Sequence, residues 1–163
     1  MNISTARGFT LIELMVAITI IGILTAGATV AFSNARSRAR DAQRYAVLAQ
    51  IELALETYRQ VNGSYPDSGG DWVSSCTLPT GYITGLAPTF LVKLPLDPVS
   101  VTGCRNGNEG YRYKSDGTDY KFQVYKTVEK EEKCDLETKA YWEPNSSDRP
   151  NTCSVYSAGG TAF

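Results

Sequence analysis

A hydrophobic run of 24 residues, from Phe9 to Phe32, contains Glu13 as its only ionisable side chain. An α-helix rises about 1.5 Å per residue, so the run would extend roughly 36 Å, enough to cross a hydrocarbon core about 30 Å thick. A secretory signal peptide would have a shorter apolar segment followed by a small-residue cleavage site, and this sequence has neither. We therefore predict a retained transmembrane helix over residues 9–33.

Helical periodicity continues beyond this run, where the pattern of side chains is that of an amphipathic helix. Apolar residues recur at steps of three and four, which predicts one buried stripe along a helix. The stripe consists of Tyr45, Leu48, Ile51, Ala54, Leu55, Tyr58 and Val61. No proline occurs before Pro66, and Asn62-Gly63 is a helix stop signal. The sequence thus predicts one helix from Thr10 to Val61, whose amphipathic part belongs to residues 34–62.

Composition narrows the classes of function. The chain has 163 residues, which suits one folded domain plus an anchor, and a net charge of −1, which gives no reason to expect nucleic acid as the main partner. It contains no histidine, so the usual general base near neutral pH and histidine metal sites are excluded. The sequence shows no nucleophile–base pair and no phosphate-binding glycine loop. We therefore expect a protein that is not an enzyme and has no catalytic residues.

The carboxylate of Glu13 needs a partner in apolar surroundings. Inserting such a charge costs about 2.5–3.5 kcal/mol, and a buried carboxylate is tolerated when a cation pairs with it. Such a cation could come from the same chain or from a neighbouring parallel helix. An ordinary signal anchor with a stray glutamate is the alternative interpretation.

One stretch carries a family resemblance, Arg7-Gly8-Phe9-Thr10-Leu11-Ile12-Glu13-Leu14. It is similar to the processing signal of type IV pilins and of the pseudopilins of type II secretion. In that family a peptidase removes a short basic leader, here residues 1–8, and the new N-terminal residue, here Phe9, is N-methylated. Cleavage after Gly8 would create an α-amine at Phe9 that is largely cationic at neutral pH, and this amine could meet Glu13 of its own chain or of a neighbouring chain. The family's glutamate, the fifth residue of the mature chain, falls on Glu13. The resemblance implies that Glu13 recruits the Phe9 amine of the adjacent subunit during fibre assembly.

The resemblance also implies a location and partners. The precursor would lie in the inner membrane in contact with lipid, with residues 63–163 outside the cytoplasm. A prepilin peptidase and N-methyltransferase would process it. Proteins of a pilus or secretion platform would then assemble it into a helical, extracellular filament with residues 9–33 in the core. The implied fold is pilin-like α+β, a long N-terminal helix packed on a small antiparallel sheet.

The four cysteines, Cys76, Cys104, Cys134 and Cys153, all follow the hydrophobic run. They form no C-x-x-C pair, which argues against a cysteine zinc site, and an even number in an exported domain favours two disulfides. Three connectivities are open. We predict Cys76–Cys104 and Cys134–Cys153 because sequential pairing closes two local loops, and free buried thiols are the alternative.

The remaining residues, 63–163, have the pattern of a β-rich domain. Residues 111–114 and 120–128 alternate apolar and polar side chains and flank a turn at Ser115-Asp116-Gly117-Thr118, which predicts a hairpin. Lys139–Glu143 is a candidate third strand. Such a sheet would bury one face on the helix and leave the other face in water.

Other stretches of this domain are predicted to lack regular structure. Residues 67–87 are rich in glycine and serine and predict a loop, and Ser154–Phe163 predicts a short tail. The mixed charge run Glu129–Lys133 predicts a solvated turn.

Four arginines follow the hydrophobic run, at Arg36, Arg38, Arg40 and Arg44. Lipid head groups are the favoured ligand for such a cluster beside a membrane helix. A solvated helix face and pairing with a neighbouring subunit's acids are the alternatives.

Calcium is the one cofactor that the resemblance raises, because major pseudopilins bind it near the end of their sheet. The acidic residues in that region are Asp116, Asp119, Asp135, Glu143 and Asp148. They form no D-x-D-x-D-G loop. We therefore expect no metal site and no cofactor, with a calcium loop as the alternative.

The favoured function is a structural subunit of a type IV pilus-like filament. Four cysteines and the absence of a clear calcium loop in the sequence favour a pilus over the nearest variant, a type II secretion pseudopilin. A monomeric membrane-anchored adhesin is a third interpretation, and it would not require a partner for Glu13.

Overall fold

A computed structural model describes residues 8–99, 104–105, 109–130, 134, 141–144 and 151–163. One helix, α1, runs from Leu11 to Asn62. Five strands form a single sheet in these described residues. They are β1 (Val73–Ser74), β2 (Cys104–Arg105), β3 (Glu109–Ser115), β4 (Tyr120–Tyr125) and β5 (Cys153–Tyr156), and a 3₁₀ turn follows at Gly159–Ala162. The chain divides into two units between Arg36 and Ser37.

In the first unit, the apolar side chains of α1 are exposed. Ile12 is 70% exposed and Ile23 is 74% exposed. Among the described residues, α1 is the one helix long and apolar enough to cross a membrane. Its threonine hydroxyls donate to carbonyls one turn back, with Thr25 Oγ1 2.7 Å from the oxygen of Ile21. These bonds satisfy the hydroxyls within the helix, so the surface of this unit is compatible with lipid or with other helices.

In the second unit, α1 contributes the predicted stripe to the core. Leu48, Ile51 and Leu55 are fully buried. Tyr58 is half-buried and its ring packs 5.2 Å from that of Phe90. The prediction for Val61 is wrong, because this side chain lies in the last turn of the helix and is 71% exposed.

The helix ends through a glycine cap. Gly63 has φ of +81°, the left-handed region that favours glycine, and its N–H donates to the carbonyl oxygen of Arg59 at 2.8 Å. The helix ends within one residue of the predicted position because the stop signal is local.

The sheet is antiparallel and has the order β1-β3-β4-β5, with β2 also paired to β3. The predicted hairpin is β3–β4, in register from Ser115↔Tyr120 to Gly110↔Tyr125. The carboxylate of Asp116 accepts the N–H groups of Thr118 and Asp119, each at 2.9 Å, which closes the turn.

Alternate side chains of β3, β4 and β5 face the helix stripe. On this side the side chains of Tyr111, Tyr120 and Phe122 are at most 1% exposed. The tyrosine and phenylalanine rings pack against one another at centroid distances such as 4.6 Å for Tyr65 and Tyr120. The expected α+β, pilin-like fold, a long helix on a small antiparallel sheet, is confirmed.

The edge strand beside β4 differs from the prediction. The described part of the candidate third strand, Tyr141–Glu143, is not a strand, and residues 139–140 lie outside the described residues. Instead β5, Cys153–Tyr156, pairs with β4, although Ser154–Phe163 was expected to be a tail. Four residues are too few for their alternation to show, and the pairing depends on contacts with β4 distant in sequence.

The sheet face that points away from the helix is here called the outer face. It was predicted to be exposed to water, but part of it is buried. Lys121 and Gln123 on this face of β4 are fully buried. Glu143 is also fully buried and contacts both side chains. The segment at 141–144 therefore covers part of the outer face.

The glycine- and serine-rich stretch 67–87 is more than a loop. It contains β1, which pairs with β3. Tyr82, Ile83 and Leu86 are buried in the core. The stretch thus covers one edge of the domain. Its glycine- and serine-rich composition did not predict this role.

Two disulfides close loops in this domain. Cys76 is bonded to Cys104, and Cys134 is bonded to Cys153. This is the sequential pairing, and none of the cysteines is a free thiol. The first bond joins the segment after β1 to β2, and the second ties Cys134 to the first residue of β5.

Candidate assembly site

The N-terminal end of α1 brings Thr10 and Glu13 together. The backbone N–H and the hydroxyl of Thr10 donate to Oε2 of Glu13 at 2.9 and 2.7 Å. In return, the N–H of Glu13 lies 3.4 Å from the hydroxyl of Thr10. This reciprocal arrangement is a capping box, in which Thr10 is the N-cap and Glu13 the third helical residue.

Sequence reasoning assigned Glu13 a cationic partner and missed this local one. The signal was present, since Thr10-Leu11-Ile12-Glu13 has the T-x-x-E spacing of a capping box before an apolar run. A carboxylate near a helix N-terminus is also stabilised by the helix dipole. Glu13 therefore has a structural role within its own chain in addition to the one expected between chains.

The predicted cleavage point precedes the helix. Gly8 and Phe9 are exposed residues outside regular secondary structure, and Phe9 is 86% exposed. A peptidase needs a backbone that is not engaged in a helix, so these residues have a suitable conformation.

An apolar groove of about 420 Å³ runs along the first turns of α1 beside Glu13. Its other lining residues are Phe9, Ile12, Val16, Ala17 and Ile20. A second helix with small or apolar residues could pack along this groove and bring its own N-terminus to the carboxylate. The geometry thus combines an apolar contact surface with one negative charge.

A second group of charges lies in the domain, centred on Arg44. This side chain is fully buried and makes two bonds to Asp97, with Nε 2.8 Å from Oδ2 and Nη2 3.0 Å from Oδ1. Its Nη1 lies 2.8 Å from Asp41 and 3.2 Å from Glu129. A bidentate arginine–carboxylate pair of this kind is strong and geometrically specific.

The same group ties three segments of the chain together. Asp41 accepts the backbone N–H groups of Glu129 and Lys130 at 3.0 and 2.9 Å. Arg40 makes two further bonds to Glu129, at 2.7 and 2.6 Å. The helix is therefore joined to the segment after β4 and to the turn that contains Asp97.

Two sequence interpretations are corrected by this arrangement. Arg40 and Arg44 were expected to bind lipid head groups, but their partners are carboxylates of the same domain. Glu129 was expected in a solvated turn, but its side chain is only 22% exposed and pairs with both arginines. Residues 131–133 of that turn lie outside the described residues.

The charges of this group shift the pKa values of Glu129 and Arg44. A hydrogen bond from Arg40 lowers the pKa of Glu129 to about 2, against an opposing contribution from burial. Burial alone would lower the pKa of Arg44, but its hydrogen bonds and attraction to Asp97, with those to Asp41 and Glu129, raise it above its ordinary value. Both groups are thus held in their charged forms.

We expect Glu129→Gln to reduce the acid sensitivity of the fold. Because the pKa of Glu129 is near 2 when folded and 4.5 ordinarily, its contribution is present above about pH 4.5 and is lost as the pH falls towards 2. Urea unfolding should show Glu129→Gln less stable than the unmodified protein by about 1–3 kcal/mol at pH 7 and by roughly half of that or less at pH 3.

The matched control is Glu52→Gln, which removes an exposed acid from the same protein. It should behave like the unmodified chain at both values of pH. Equal destabilisation by Glu129→Gln at pH 7 and pH 3 would contradict the assignment.

Five acidic residues were considered as calcium ligands. Those that the structure describes bind groups of the protein itself. Asp119 accepts the hydroxyl of Ser157 at 2.6 Å, and Glu143 pairs with Lys121 at 2.9 Å. Among the residues that the structure describes, no group of three or more Cys, Asp or Glu could hold a metal ion. Asp135 and Asp148 lie outside those residues.

Comparison with known proteins extends the match beyond the N-terminus. Residues 3–29 match the family model of the prokaryotic N-terminal methylation motif. Over 121 residues, the chain is 31% identical to the type II secretion system core protein G of Pseudomonas aeruginosa, covering 72% of this chain and 80% of that protein. The chain belongs to the type IV pilin and pseudopilin family. No solved structure matches it.

Membership of this family agrees with two features of the chain, the expectation that it is not an enzyme and the exposed apolar half of α1. Pilins and pseudopilins are structural subunits, which agrees with the expectation from the sequence that the chain is not an enzyme. The exposed apolar half of α1 gives it a surface that must be covered by lipid or by other helices.

Proposed function

We propose that this pilin-family chain is a structural subunit of a type IV pilus-like filament, inserted in the inner membrane and assembled through its N-terminal helix. The observation that carries the proposal is the position of Glu13, which lies in a capping box at the start of a helix with exposed apolar sides. Such a surface is unstable in water, and packing against identical helices would bury it.

Assembly would then proceed by exchange of the partner of Glu13. Before assembly, the hydroxyl and N–H of Thr10 satisfy its carboxylate locally. Prepilin peptidase would cleave between Gly8 and Phe9 and create a cationic amine, which is then N-methylated. The amine of an adjacent subunit would add an ion pair to the carboxylate, and that pair would be strong because the packed helices exclude water.

The test of processing is mass spectrometry of protein recovered from sheared surface filaments. We expect this chain among their components, with its mature form beginning at methylated Phe9. Filaments that contain the chain with residues 1–8 still attached would refute the processing step. Filaments that lack the chain would refute its role as a subunit.

A second candidate function is a pseudopilin of type II secretion. It is favoured by the similarity to a type II secretion core protein over 72% of this chain. The four cysteines, joined in two disulfides, favour the pilus. Deletion of the gene distinguishes the two, since a pseudopilin is required for release of secreted proteins and a pilus subunit is required for surface pili.

A further inference from the structure

The outer face of the sheet contains a polar cavity of about 430 Å³. Two aromatic side chains, Trp72 and Tyr125, and two cations, Arg112 and Lys126, belong to its lining. Arg112 lies on this face because its neighbours in β3, Tyr111 and Tyr113, point to the core. The family resemblance did not concern any of these residues.

Arg112 is held between the two rings. Its guanidinium carbon lies 4.1 Å from the ring centre of Trp72 and 3.6 Å from that of Tyr125. Its Nε also donates to the side-chain oxygen of Gln123. Stacking and hydrogen bonding together fix the plane of the guanidinium, so it is preorganised for a planar anion.

A buried chain of polar groups supports this position. Gln123 donates to Glu143, and Glu143 pairs with Lys121 at 2.9 Å. All three side chains are fully buried. A buried ion pair is expensive to desolvate and does not by itself stabilise a fold more than apolar packing would. Its effect here is to orient the amide of Gln123 so that the oxygen faces Arg112.

Lys126 is placed by a strained backbone. Its φ is 55°, which is uncommon for a residue other than glycine. The backbone N–H of Lys126 donates to the hydroxyl of Thr152 at 3.1 Å, which holds this conformation. Its ammonium lies 4.9 Å from the ring centre of Tyr125, and the residue is exposed. Strain of this kind occurs often at functional sites.

The rest of the lining is suited to hydroxyl groups. Ser74 and Thr77 supply hydroxyls, which lie 3.5 Å from each other, and Glu109 supplies a carboxylate. Hydroxyls donate and accept, whereas the carboxylate accepts only. A ligand that fits this lining has an anionic group for the two cations and several hydroxyls for the other side.

The geometry points to a binding site for an acidic saccharide, such as a uronic acid unit of a polysaccharide. Its carboxylate would bind Arg112 and Lys126, and its hydroxyls would bind Glu109, Ser74 and Thr77. Single-stranded nucleic acid fits less well, because its bases bind by stacking on aromatic rings and both rings of the cavity already stack with Arg112. This inference does not depend on the proposed function, since the site uses none of residues 9–33.

The test uses isothermal titration of the full-length protein in detergent with tetragalacturonate as the probe. Galactotetraose is the uncharged control ligand, and a twelve-residue oligothymidylate represents nucleic acid. We expect tetragalacturonate to bind saturably below about 1 mM and galactotetraose not to bind. Arg112→Gln and Lys126→Gln should each weaken binding by about tenfold or more, the loss expected for one charged hydrogen bond.

Lys93→Gln is the matched control, because it removes an exposed lysine that does not line the cavity, and it should leave binding unchanged. Lys126→Gln alters an exposed side chain, so its result does not depend on whether Arg112→Gln folds. Any one of four results would overturn the site: no saturation by tetragalacturonate, equal binding of galactotetraose, tighter binding of oligothymidylate, or a loss below twofold for Lys126→Gln.

Discussion

Cells that make Glu13→Ala should lose surface filaments or show at least about a tenfold reduction in them. The variant removes one partner of an ion pair that is buried once helices pack, which costs about 3–5 kcal/mol. Cleavage at Gly8 and insertion in the membrane should be normal, since neither step needs the carboxylate. Electron microscopy of sheared filaments and immunoblotting of membrane fractions measure the two parts of this prediction.

Thr10→Val is the control that separates the two roles of Glu13. It removes the hydroxyl that the structure places 2.7 Å from the Glu13 carboxylate and leaves the charge in place. Loss of an N-cap costs about 0.5–2 kcal/mol, so filaments should be reduced only modestly. If Glu13→Ala cells produce normal filaments, the pairing between subunits is wrong. If Thr10→Val is as severe as Glu13→Ala, the glutamate acts mainly through the helix cap.

Arg44→Met should destabilise the domain by about 3–5 kcal/mol at pH 7. Arg44 is fully buried, and its removal leaves the carboxylates of Asp41 and Asp97 without their main cation. Urea unfolding of the full-length protein in detergent, with both disulfides kept oxidised, measures the change. Fluorescence is a suitable probe because Trp72 and Trp142 both lie in the domain.

The matched control for Arg44→Met is Arg59→Met on the same helix. The side chain of Arg59 is 54% exposed and its ion pair with Glu56 is 3.7 Å long, so the change should be below about 1 kcal/mol. The double variant Arg44→Met, Asp97→Leu should recover part of the lost stability, because it removes one of the uncompensated charges. Equal effects of Arg44→Met and Arg59→Met would show that the buried group contributes little.

The two sites differ in how much of them could be predicted. Glu13 and its neighbours are close in sequence, so their spacing carries the information, although the capping role of Thr10 was missed. Two of the three partners of Arg44 are distant in sequence, Asp97 by 53 residues and Glu129 by 85 residues. Arginines beside a membrane helix commonly bind lipid. Their position in the sequence alone does not distinguish that role from an internal ion pair.

The cavity on the outer face was not predicted at all. Arg112 and Lys126 were predicted only as members of the two alternating strands of the hairpin. Their function depends on Trp72 and on the buried pair Lys121–Glu143, which come from other segments. Only after β1, β3 and β4 pair do these side chains share one surface.

The sequence by itself predicted one long helix, within one residue of Leu11–Asn62 at each end, the hairpin β3–β4, the sequential disulfides and the family. The helix, the hairpin and the family motif follow from residues that are neighbours in the chain, because periodicity, caps and turns are local properties. The disulfide pairing was predicted only from the order of the four cysteines. The tertiary structure decided the position of β5, the burial of the outer face and the partners of Arg40 and Arg44. These depend on contacts between distant segments, where the free energy comes from desolvation and charge pairing that no local pattern records.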